Sequence, residues 1–242
     1  MDLIDVQDDG AVRVVTLDDP ATDNALHAAT VAALERAFEV PRAIRAVLLR
    51  GRGDVFCSGA DRRTLGAVAR RELEPADAGL VRGLLKAPVP FVAAMEGHAV
   101  GGGLAVGLCA DVAVLARESR YGCTFMDLGF TPGMGTTALL EDLVGPALAR
   151  EMLLGGEALR GDALAAAGVR HVVPRAEVWA RATELAARMA DKPAAALRAL
   201  KRALAERRLA RHERARLVEA LMHEICFADP EVRERLEAIH EG

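Results

Sequence analysis

Three short apolar runs, each bounded by turn residues, constrain the fold of this chain more than any other sequence feature. They span residues 46–49, 90–95 and 111–115. Continuous apolar runs of this length are typical of strands that are buried on both faces, as in parallel sheets. Helical patterns alternate with them, and one short helix follows Gly101-Gly102-Gly103 up to about Cys109. Strands that alternate with helices predict an α/β fold with partly parallel sheets.

The N-terminal segment adds a hairpin to this pattern. Residues 3–7 and 11–17 alternate apolar and polar side chains around Asp8-Asp9-Gly10, which is a turn sequence. An apolar pattern with helical spacing follows over residues 27–39. We therefore expect a β-hairpin and then a helix ahead of the first buried strand.

The composition changes near residue 175. Residues 175–242 are rich in Ala, Leu, Arg and Glu and contain few strand-forming residues. Lys192-Pro193 and Asp229-Pro230 interrupt the helical pattern and predict three or four helices. We divide the chain into an α/β core, 1–174, and a helical C-terminal portion, 175–242, which packs on the core or on a neighbouring subunit.

Charge and aromatic content exclude several function classes. The formal net charge is −4 and aromatic residues make up 3% of the chain, so we expect no nucleic-acid surface. The basic run 201–216 contains Glu206 and Glu213, and we interpret it as a solvated or inter-subunit helix face. The longest apolar stretch, 99–116, is broken by four glycines and Asp111, so we expect no membrane span.

The cysteines and the N-terminus indicate a compartment. The four cysteines include no C-x-x-C pair, so we expect small buried thiols rather than disulfides or a metal site. The N-terminal sequence MDLIDVQDDG lacks the basic and apolar regions of a signal peptide. We therefore expect a cytoplasmic protein with no metal and no redox cofactor. The cysteines are Cys57, Cys109, Cys123 and Cys226.

Two loop segments carry the strongest chemical signal. The first is Val55-Phe56-Cys57-Ser58-Gly59-Ala60-Asp61, and the second, further along the chain, ends in Gly101-Gly102-Gly103. Three glycines at a helix start let the backbone approach a ligand and direct free N–H groups at it, where the helix dipole favours negative charge. A tight turn explains the glycines alone equally well, but the pair of segments is specific.

Together the two segments resemble the crotonase (enoyl-CoA hydratase/isomerase) superfamily. The resemblance implies a crotonase fold, a spiral of ββα units with a helical C-terminal portion, and assembly as a homotrimer. It also implies that the backbone N–H groups of Ala60 and Gly102 form an oxyanion hole for a thioester enolate, each donor being worth about 3–4 kcal/mol. Further matching segments are Asp23-Asn24-Ala25-Leu26, Phe130-Thr131-Pro132-Gly133-Met134-Gly135, Leu153-Leu154-Gly155-Gly156 and His171-Val172-Val173-Pro174.

Two positions depart from the hydratase pattern of that superfamily. Its hydratases carry two glutamates that position and activate water, and this chain has Ala105 and Phe125 in their places. Neither side chain can transfer a proton, so we assign both to substrate binding, together with Gly101 and Met126. Asp127 offers an alternative base for a dehydratase, hydratase or isomerase, although a role as a turn or inter-subunit polar group also fits it.

An oxyanion hole without a base suits decarboxylation. Loss of CO2 from a carboxylate conjugated to the thioester forms the enolate without removal of a proton, in a dry pocket that weakens carboxylate solvation. Several motifs resemble the decarboxylases of polyketide β-branching. That resemblance implies conversion of a 3-methylglutaconyl-type chain on an acyl carrier protein to a 3-methylcrotonyl-type product. The motifs are Ala93-Ala94-Met95-Glu96-Gly97-His98, Ala116-Arg117-Glu118-Ser119, Arg160-Gly161-Asp162 and Leu221-Met222-His223-Glu224.

The same resemblance makes His223 the candidate proton donor to the γ-carbon of the dienolate. Some members of this branch also use a lysine and a tyrosine after the first oxyanion loop, where this chain carries Arg62, Arg63, Arg70 and Arg71. The acidic segment 18–23 stands where CoA-using relatives place a cation, which favours a phosphopantetheine arm on a carrier protein over free CoA. A non-catalytic scaffold that binds acyl carrier proteins is the alternative outside the enzymes.

Overall fold

The computed structural model describes residues 3–69, 72, 79–232 and 234–235 of the chain. A 3-10 helix, Met126–Leu128, stands between the strands and the longer helices. The strands are β1 Ile4–Asp9, β2 Val12–Leu17, β3 Ala46–Gly51, β4 Val55–Cys57, β5 Phe91–Met95, β6 His98–Val100, β7 Val112–Ala116, β8 Arg120–Gly122, β9 Ala158–Arg160 and β10 Val172–Val173. The helices are α1 Ala28–Ala37, α2 Arg62–Ala69, α3 Leu80–Leu85, α4 Gly102–Leu108, α5 Thr136–Gly155, α6 Gly161–Ala166, α7 Arg175–Ala190 and α8 Ala194–Ala228.

The strands form two sheets. The six-stranded sheet has the order β1-β2-β3-β5-β7-β10, and the four-stranded sheet has the order β4-β6-β8-β9. Only the β1–β2 and β8–β9 pairs are antiparallel among the described strands. Successive strands β3 and β4, β5 and β6, and β7 and β8 enter different sheets and are each followed by helix. This repeated ββα order confirms the predicted α/β crotonase fold.

The predicted hairpin and first helix are confirmed. β1 and β2 pair from Ile4 opposite Leu17 to Asp9 opposite Val12, and Gly10 takes a positive φ of 57° at the turn between them. The helix expected over residues 27–39 is α1. It begins one residue later because His27 is its N-cap and accepts the Thr30 N–H.

The three apolar runs are central strands that are buried on both faces. Side chains of β3 and β5 alternate between two core clusters, so that Val47 and Leu49 face one cluster and Ala46 and Leu48 face the other. Helix α7 covers the second cluster with buried residues that include Val178 and Leu185. Strands with no solvent face need no polar alternation, which explains why the sequence shows continuous runs there.

The helical C-terminal portion has the breaks that the sequence predicts. Asp191, Lys192 and Pro193 separate α7 from α8, and helical backbone resumes at Pro230 after α8 ends at Ala228. Proline lacks an N–H and ends the helix that precedes it. None of the described helices is both long and apolar enough to span a bilayer.

The basic run 201–216 lies on α8, and its interpretation as a solvated or inter-subunit face is wrong for two residues. The Lys201 side chain is 3% exposed, and its Nζ lies 2.8 Å from Asp111 Oδ1. The Arg208 guanidinium donates to three carbonyl oxygens where α4 ends. These carbonyls lack partners inside their own helix, and α8 passes close enough to supply donors. They belong to Leu108 at 2.5 Å, Cys109 at 3.0 Å and Ala110 at 3.1 Å.

Candidate active site

The structure brings the two predicted glycine segments together, backbone against backbone. A Cβ atom placed on Gly59 would lie 2.9 Å from the carbonyl oxygen of Val100 and 3.0 Å from the backbone nitrogen of Gly102. A Cβ on Gly103 would overlap the carbonyl oxygen of Cys57. Only glycine permits this approach between the loop after β4 and the start of α4.

Two backbone N–H groups at this junction have no acceptor among the residues that the structure describes. Gly102 is the first residue of α4, and Gly101 precedes it with φ 53° and ψ −125°. In the described part of the chain, neither the Ala60 N–H nor the Gly102 N–H donates a hydrogen bond to the protein. Free N–H groups beside a helix start are suited to hold negative charge on an oxygen atom.

Hydrogen bonds join the segment Asp23–Leu26 to the loop that contains Gly59. These contacts explain why the segment is among the matching motifs. Asn24 has φ 57°, and its side-chain oxygen accepts the Asp19 N–H at 2.9 Å. Its amide nitrogen donates to the carbonyl oxygen of Val55 at 2.8 Å. The Leu26 N–H donates to the carbonyl oxygen of Gly59 at 2.7 Å. The Leu26 side chain thereby lies 3.3 Å from where a Gly102 Cβ would stand.

Apolar side chains occupy the two positions where hydratases carry glutamates. Ala105 is fully buried on α4. The Phe125 ring lies 3.8 Å from where a Gly101 Cβ would stand, and it packs edge-to-face on Phe130 with ring centroids 5.8 Å apart. Met126, the next residue, is 40% exposed on its 3-10 turn. The wall beside Gly101 and Gly102 therefore offers no proton donor at these two positions.

Cys57 is not available as a nucleophile, although it lies beside the first loop. Burial raises the pKa of its thiol to about 12, an effect that the backbone of Gly59 offsets only in part. A thiol rather than a thiolate is therefore present near neutral pH, and thiols are poor nucleophiles. Cys109 and Cys123 are also buried, as the sequence predicts, and Cys226 is partly buried.

His223 folds back from α8 onto the segment that borders the glycines. It is 8% exposed, and its Nε2 lies 2.9 Å from the carbonyl oxygen of Thr131. A carbonyl only accepts, so Nε2 carries a proton and Nδ1 is the nitrogen left to exchange one. The ring packs on Phe227 and Phe130, with centroids 5.3 and 6.3 Å away.

The turn at Gly133 and Met134 contacts both His223 and Gly102. A Cβ on Gly133 would lie 2.9 Å from His223 Cε1, and a Cβ on Gly102 would lie 2.7 Å from Met134 Sδ. Gly133 and Met134 are adjacent in the chain, so His223 and Gly102 contact successive residues of the same turn. The C-terminal portion therefore contributes a titratable side chain beside the site built by the α/β core.

A family model described as enoyl-CoA hydratase/isomerase matches residues 7–241. The chain belongs to the enoyl-CoA hydratase/isomerase family. It is 36% identical to the bacillaene synthase decarboxylase PksI of Bacillus subtilis over 99% of this chain and 97% of that protein. The predicted membership is confirmed, because one family model spans nearly the whole sequence.

Solved structures extend the likeness to decarboxylases of this family. The ECH2 decarboxylase domain of CurF from Lyngbya majuscula is 34% identical, with a TM-score of 0.93 over 98% of this chain and 99% of that one. A chain from a dehydratase/decarboxylase enzyme couple involved in polyketide β-branching is 35% identical, with a TM-score of 0.94 over 99% and 100%. The sequence-based resemblance to β-branching decarboxylases of the enoyl-CoA hydratase/isomerase family is thus confirmed.

The remaining candidate residues are Asp127 and the arginines that follow the first loop. Asp127 is exposed, and a Cβ on Gly156 would lie 2.8 Å from its Oδ1. Its carboxylate therefore rests against the turn that ends α5. Arg63 is exposed, whereas Arg70 and Arg71 lie outside the described residues. Within the described chain, no group of three His, Cys, Asp or Glu side chains is placed to hold a metal ion.

Glu219 is a buried acid of the site region that the sequence analysis missed. It is 2% exposed, and its carboxylate accepts the N–H groups of Gly135 at 2.7 Å and Thr137 at 3.0 Å. It also accepts the Thr137 hydroxyl at 2.6 Å. It thus caps α5 from another helix, where the dipole favours a negative charge. Its place four residues before His223, on the same face of α8, was the signal in the sequence.

His212 is the second residue that was missed. It is fully buried, and neither ring nitrogen has a hydrogen-bond partner among the described residues. Burial lowers its pKa, and the Arg216 charge acts in the same direction against the opposing Glu213 charge. The neutral ring packs so tightly on Gly135 that a Cβ there would overlap it. His212, Glu219 and His223 therefore all contact the turn that precedes α5.

We expect Glu219→Ala to lower the free energy of unfolding by about 3 kcal/mol, because two backbone N–H groups and a hydroxyl lose a charged acceptor. Urea unfolding followed by circular dichroism measures this change. Glu206→Ala is the matched control on the same helix, since Glu206 is exposed and its loss should cost no more than about 0.5 kcal/mol. Equal stability of the two variants would contradict the capping role.

Proposed function

We propose that this enzyme decarboxylates a 3-methylglutaconyl-type thioester, carried on the phosphopantetheine arm of an acyl carrier protein, to a 3-methylcrotonyl-type thioester. The observation that carries the proposal is a pair of N–H groups, at Ala60 and Gly102, that find no acceptor in the described part of the chain and lie near the apolar residues Ala105 and Phe125. Donors for an enolate oxygen are present at this site, while both glutamates that a hydratase needs are replaced. The PksI and CurF relatives support the same reaction, since both are described as decarboxylases.

The first step breaks the bond between the γ-carbon and the carboxylate. Its electron pair passes into the conjugated system and places negative charge on the thioester oxygen, and CO2 leaves. The N–H groups of Ala60 and Gly102 stabilise this dienolate, because they are in place before the charge develops. Apolar surroundings from Phe125, Ala105 and Gly101 favour the step, since a poorly solvated carboxylate is lost more readily than a solvated one.

The second step protonates the γ-carbon. We assign the proton to His223, because its ring packs on the turn beside Gly102 and imidazole is the commonest general acid in enzymes. Since Nε2 is held by the carbonyl oxygen of Thr131, Nδ1 of the imidazolium is the donor. The product is the 3-methylcrotonyl thioester, and the neutral imidazole regains a proton from water. Met126, beside Phe125, is assigned to the mouth of the acyl pocket because it is partly exposed.

An acidic segment supports a carrier-bound substrate. Asp18 pairs with Arg52 at 2.8 Å, so that the Arg52 guanidinium is already engaged. The Thr22 hydroxyl lowers the pKa of Asp19, with His27 acting in the same direction against partial burial, so Asp19 stays charged near neutral pH. Such a surface disfavours the phosphates of free CoA. No cofactor beyond the phosphopantetheine of the carrier is proposed.

The reaction is tested by supplying the 3-methylglutaconyl group on an acyl carrier protein and on CoA. We expect CO2 release and a product lighter by the mass of CO2, with a higher kcat/KM for the carrier-bound form. A product heavier by one water would instead support a hydratase, and binding without turnover would support a scaffold.

Assembly and location follow the same reasoning. α8 exposes large apolar side chains, including Leu217, Leu221 and Ile225, which are 60%, 67% and 74% exposed. A continuous apolar face of this kind marks a protein interface, and we propose that it is covered in a homotrimer. Light scattering tests the mass of the assembly. Buried cysteines that remain thiols, such as Cys57 and Cys123, suit a reducing compartment, and we place the enzyme in the cytoplasm.

Asp127→Asn separates decarboxylation from the base-dependent alternatives. We expect CO2 release to stay within about tenfold of the wild-type rate, because the proposed step removes no proton. The assay follows CO2 and water addition on the same carrier-bound substrate, with Asp191→Asn, an exposed aspartate at the end of α7, as the control. A collapse of activity in a folded Asp127→Asn protein alone would favour a dehydratase or isomerase.

A further inference from the structure

Met134 has a backbone conformation that its side chain does not favour. Among the described residues, three non-glycine residues have positive φ: Asp23, Asn24 and Met134, the last at 61°. Aspartate and asparagine tolerate this left-handed region because their short polar side chains bond locally, whereas methionine gains nothing from it. Strained conformations of this kind persist where the surroundings impose them, and they cluster at functional sites.

The surroundings that impose the conformation are visible on both sides of Met134. The Gly133 carbonyl oxygen accepts the Thr136 hydroxyl at 2.6 Å and the Thr136 N–H at 3.1 Å. The Gly135 N–H donates to Glu219 at 2.7 Å. The rings of His223 and His212 pack on the two flanking glycines, which leaves no room for a Cβ at either. Contacts with α8 thus fix the backbone on both sides of Met134.

The Met134 side chain lies against Gly102, the glycine that we assign to the oxyanion hole. A Cβ on Gly102 would lie 2.7 Å from Met134 Sδ and 3.3 Å from Leu26 Cδ1. The two side chains therefore pack on the Cα of Gly102, the residue whose N–H we assign to the thioester oxygen. Met134 is partly buried and packs on the main core cluster. An unbranched thioether adapts its shape to a ligand more readily than a branched side chain does.

We propose that Met134 determines acyl specificity by packing on the branch at carbon 3 of the acyl chain. Carbon 3 is two bonds from the thioester carbon whose oxygen Gly102 holds, so a methyl branch there meets the thioether. A larger branch would overlap the Met134 thioether, so an acyl chain that carries it would bind more weakly. This role rests on the proposed function for the identity of the thioester, but it concerns binding and requires no turnover.

The test measures affinity for two unreactive probes, the amide analogues of 3-methylglutaconyl- and 3-ethylglutaconyl-pantetheine. The wild-type protein should prefer the methyl probe. Met134→Ala should shift the ratio of the two Kd values toward the ethyl probe by about tenfold, because one methylene in an apolar pocket is worth about 10–200-fold. Met189→Ala is the matched control, a partly buried methionine in the second core cluster under α7, and it should leave the ratio unchanged.

Met134→Gly is a second variant that accepts the left-handed backbone without strain, and it should show the same shift. An unchanged ratio in folded Met134→Ala or Met134→Gly protein overturns the assignment. Failure of the wild-type enzyme to release CO2 from the carrier-bound substrate overturns the proposed function instead, while the Kd ratio still decides the role of Met134. Absence of wild-type binding to either probe overturns both.

Discussion

Replacement of Gly102 by proline is expected to reduce turnover by about 10²-fold or more, the scale observed when one donor of an oxyanion hole is lost. Proline has no backbone N–H. Gly102 is the first residue of α4, a position where proline is well tolerated because that N–H has no partner within the helix. The change therefore removes the donor while it preserves the helix. Release of CO2 from carrier-bound 3-methylglutaconyl thioester measures the effect.

Gly102→Ala is the matched control for this substitution. Alanine keeps the N–H but adds a Cβ, which would press on Met134 and Leu26, both flexible side chains. The ratio of the alanine and proline rates therefore separates loss of the N–H group from the effect of the added Cβ, and we expect it to exceed about 10². Circular dichroism is used to check that both variants are folded. Equal rates for folded alanine and proline variants would remove Gly102 from the oxyanion hole.

His223→Ala is expected to slow product formation by about 10²- to 10⁴-fold, the usual span for a general acid. The dienolate still has to be protonated at carbon, and water would replace a positioned imidazolium. Affinity for the substrate-loaded carrier should remain close to that of the wild type, because His223 contacts a turn of the protein rather than the carrier in this proposal. Single-turnover product formation and a separate binding measurement give the two values.

Two further variants distinguish proton transfer from packing. His223→Gln keeps a donor for the carbonyl oxygen of Thr131 but cannot supply a proton, so it should be stable and nearly as slow as His223→Ala. His171→Ala is the control, a partly buried histidine that precedes β10, and its turnover should match the wild type. If His223→Gln retains wild-type turnover, His223 is a structural residue and another group protonates the dienolate.

Local sequence patterns were sufficient for the hairpin, for the central buried strands and for the family. The continuous apolar runs of β3 and β5 and the hairpin around Gly10 are confirmed because strand burial and turn geometry depend on residues that are near each other in the chain. The loop that contains Gly59 and the glycine run that ends in Gly103 could be paired in advance through their resemblance to the family. Their close backbone approach in the structure admits only glycine at these two positions, which is why the sequence carries glycine there.

The contacts that residues of α8 make around the site were determined by the tertiary structure alone. The sequence alone predicted that Lys201 and Arg208 belong to a charged, solvated helix face. It assigned no role to Glu219, and Met134 was only part of a matching motif. In the structure Arg208 meets the end of α4, Glu219 caps the start of α5, and Met134 is held in a left-handed conformation against Gly102. The pattern of a helix shows which residues share a face, but not which helix ends that face will meet. Those partners are far away in the chain, and only packing brings them together.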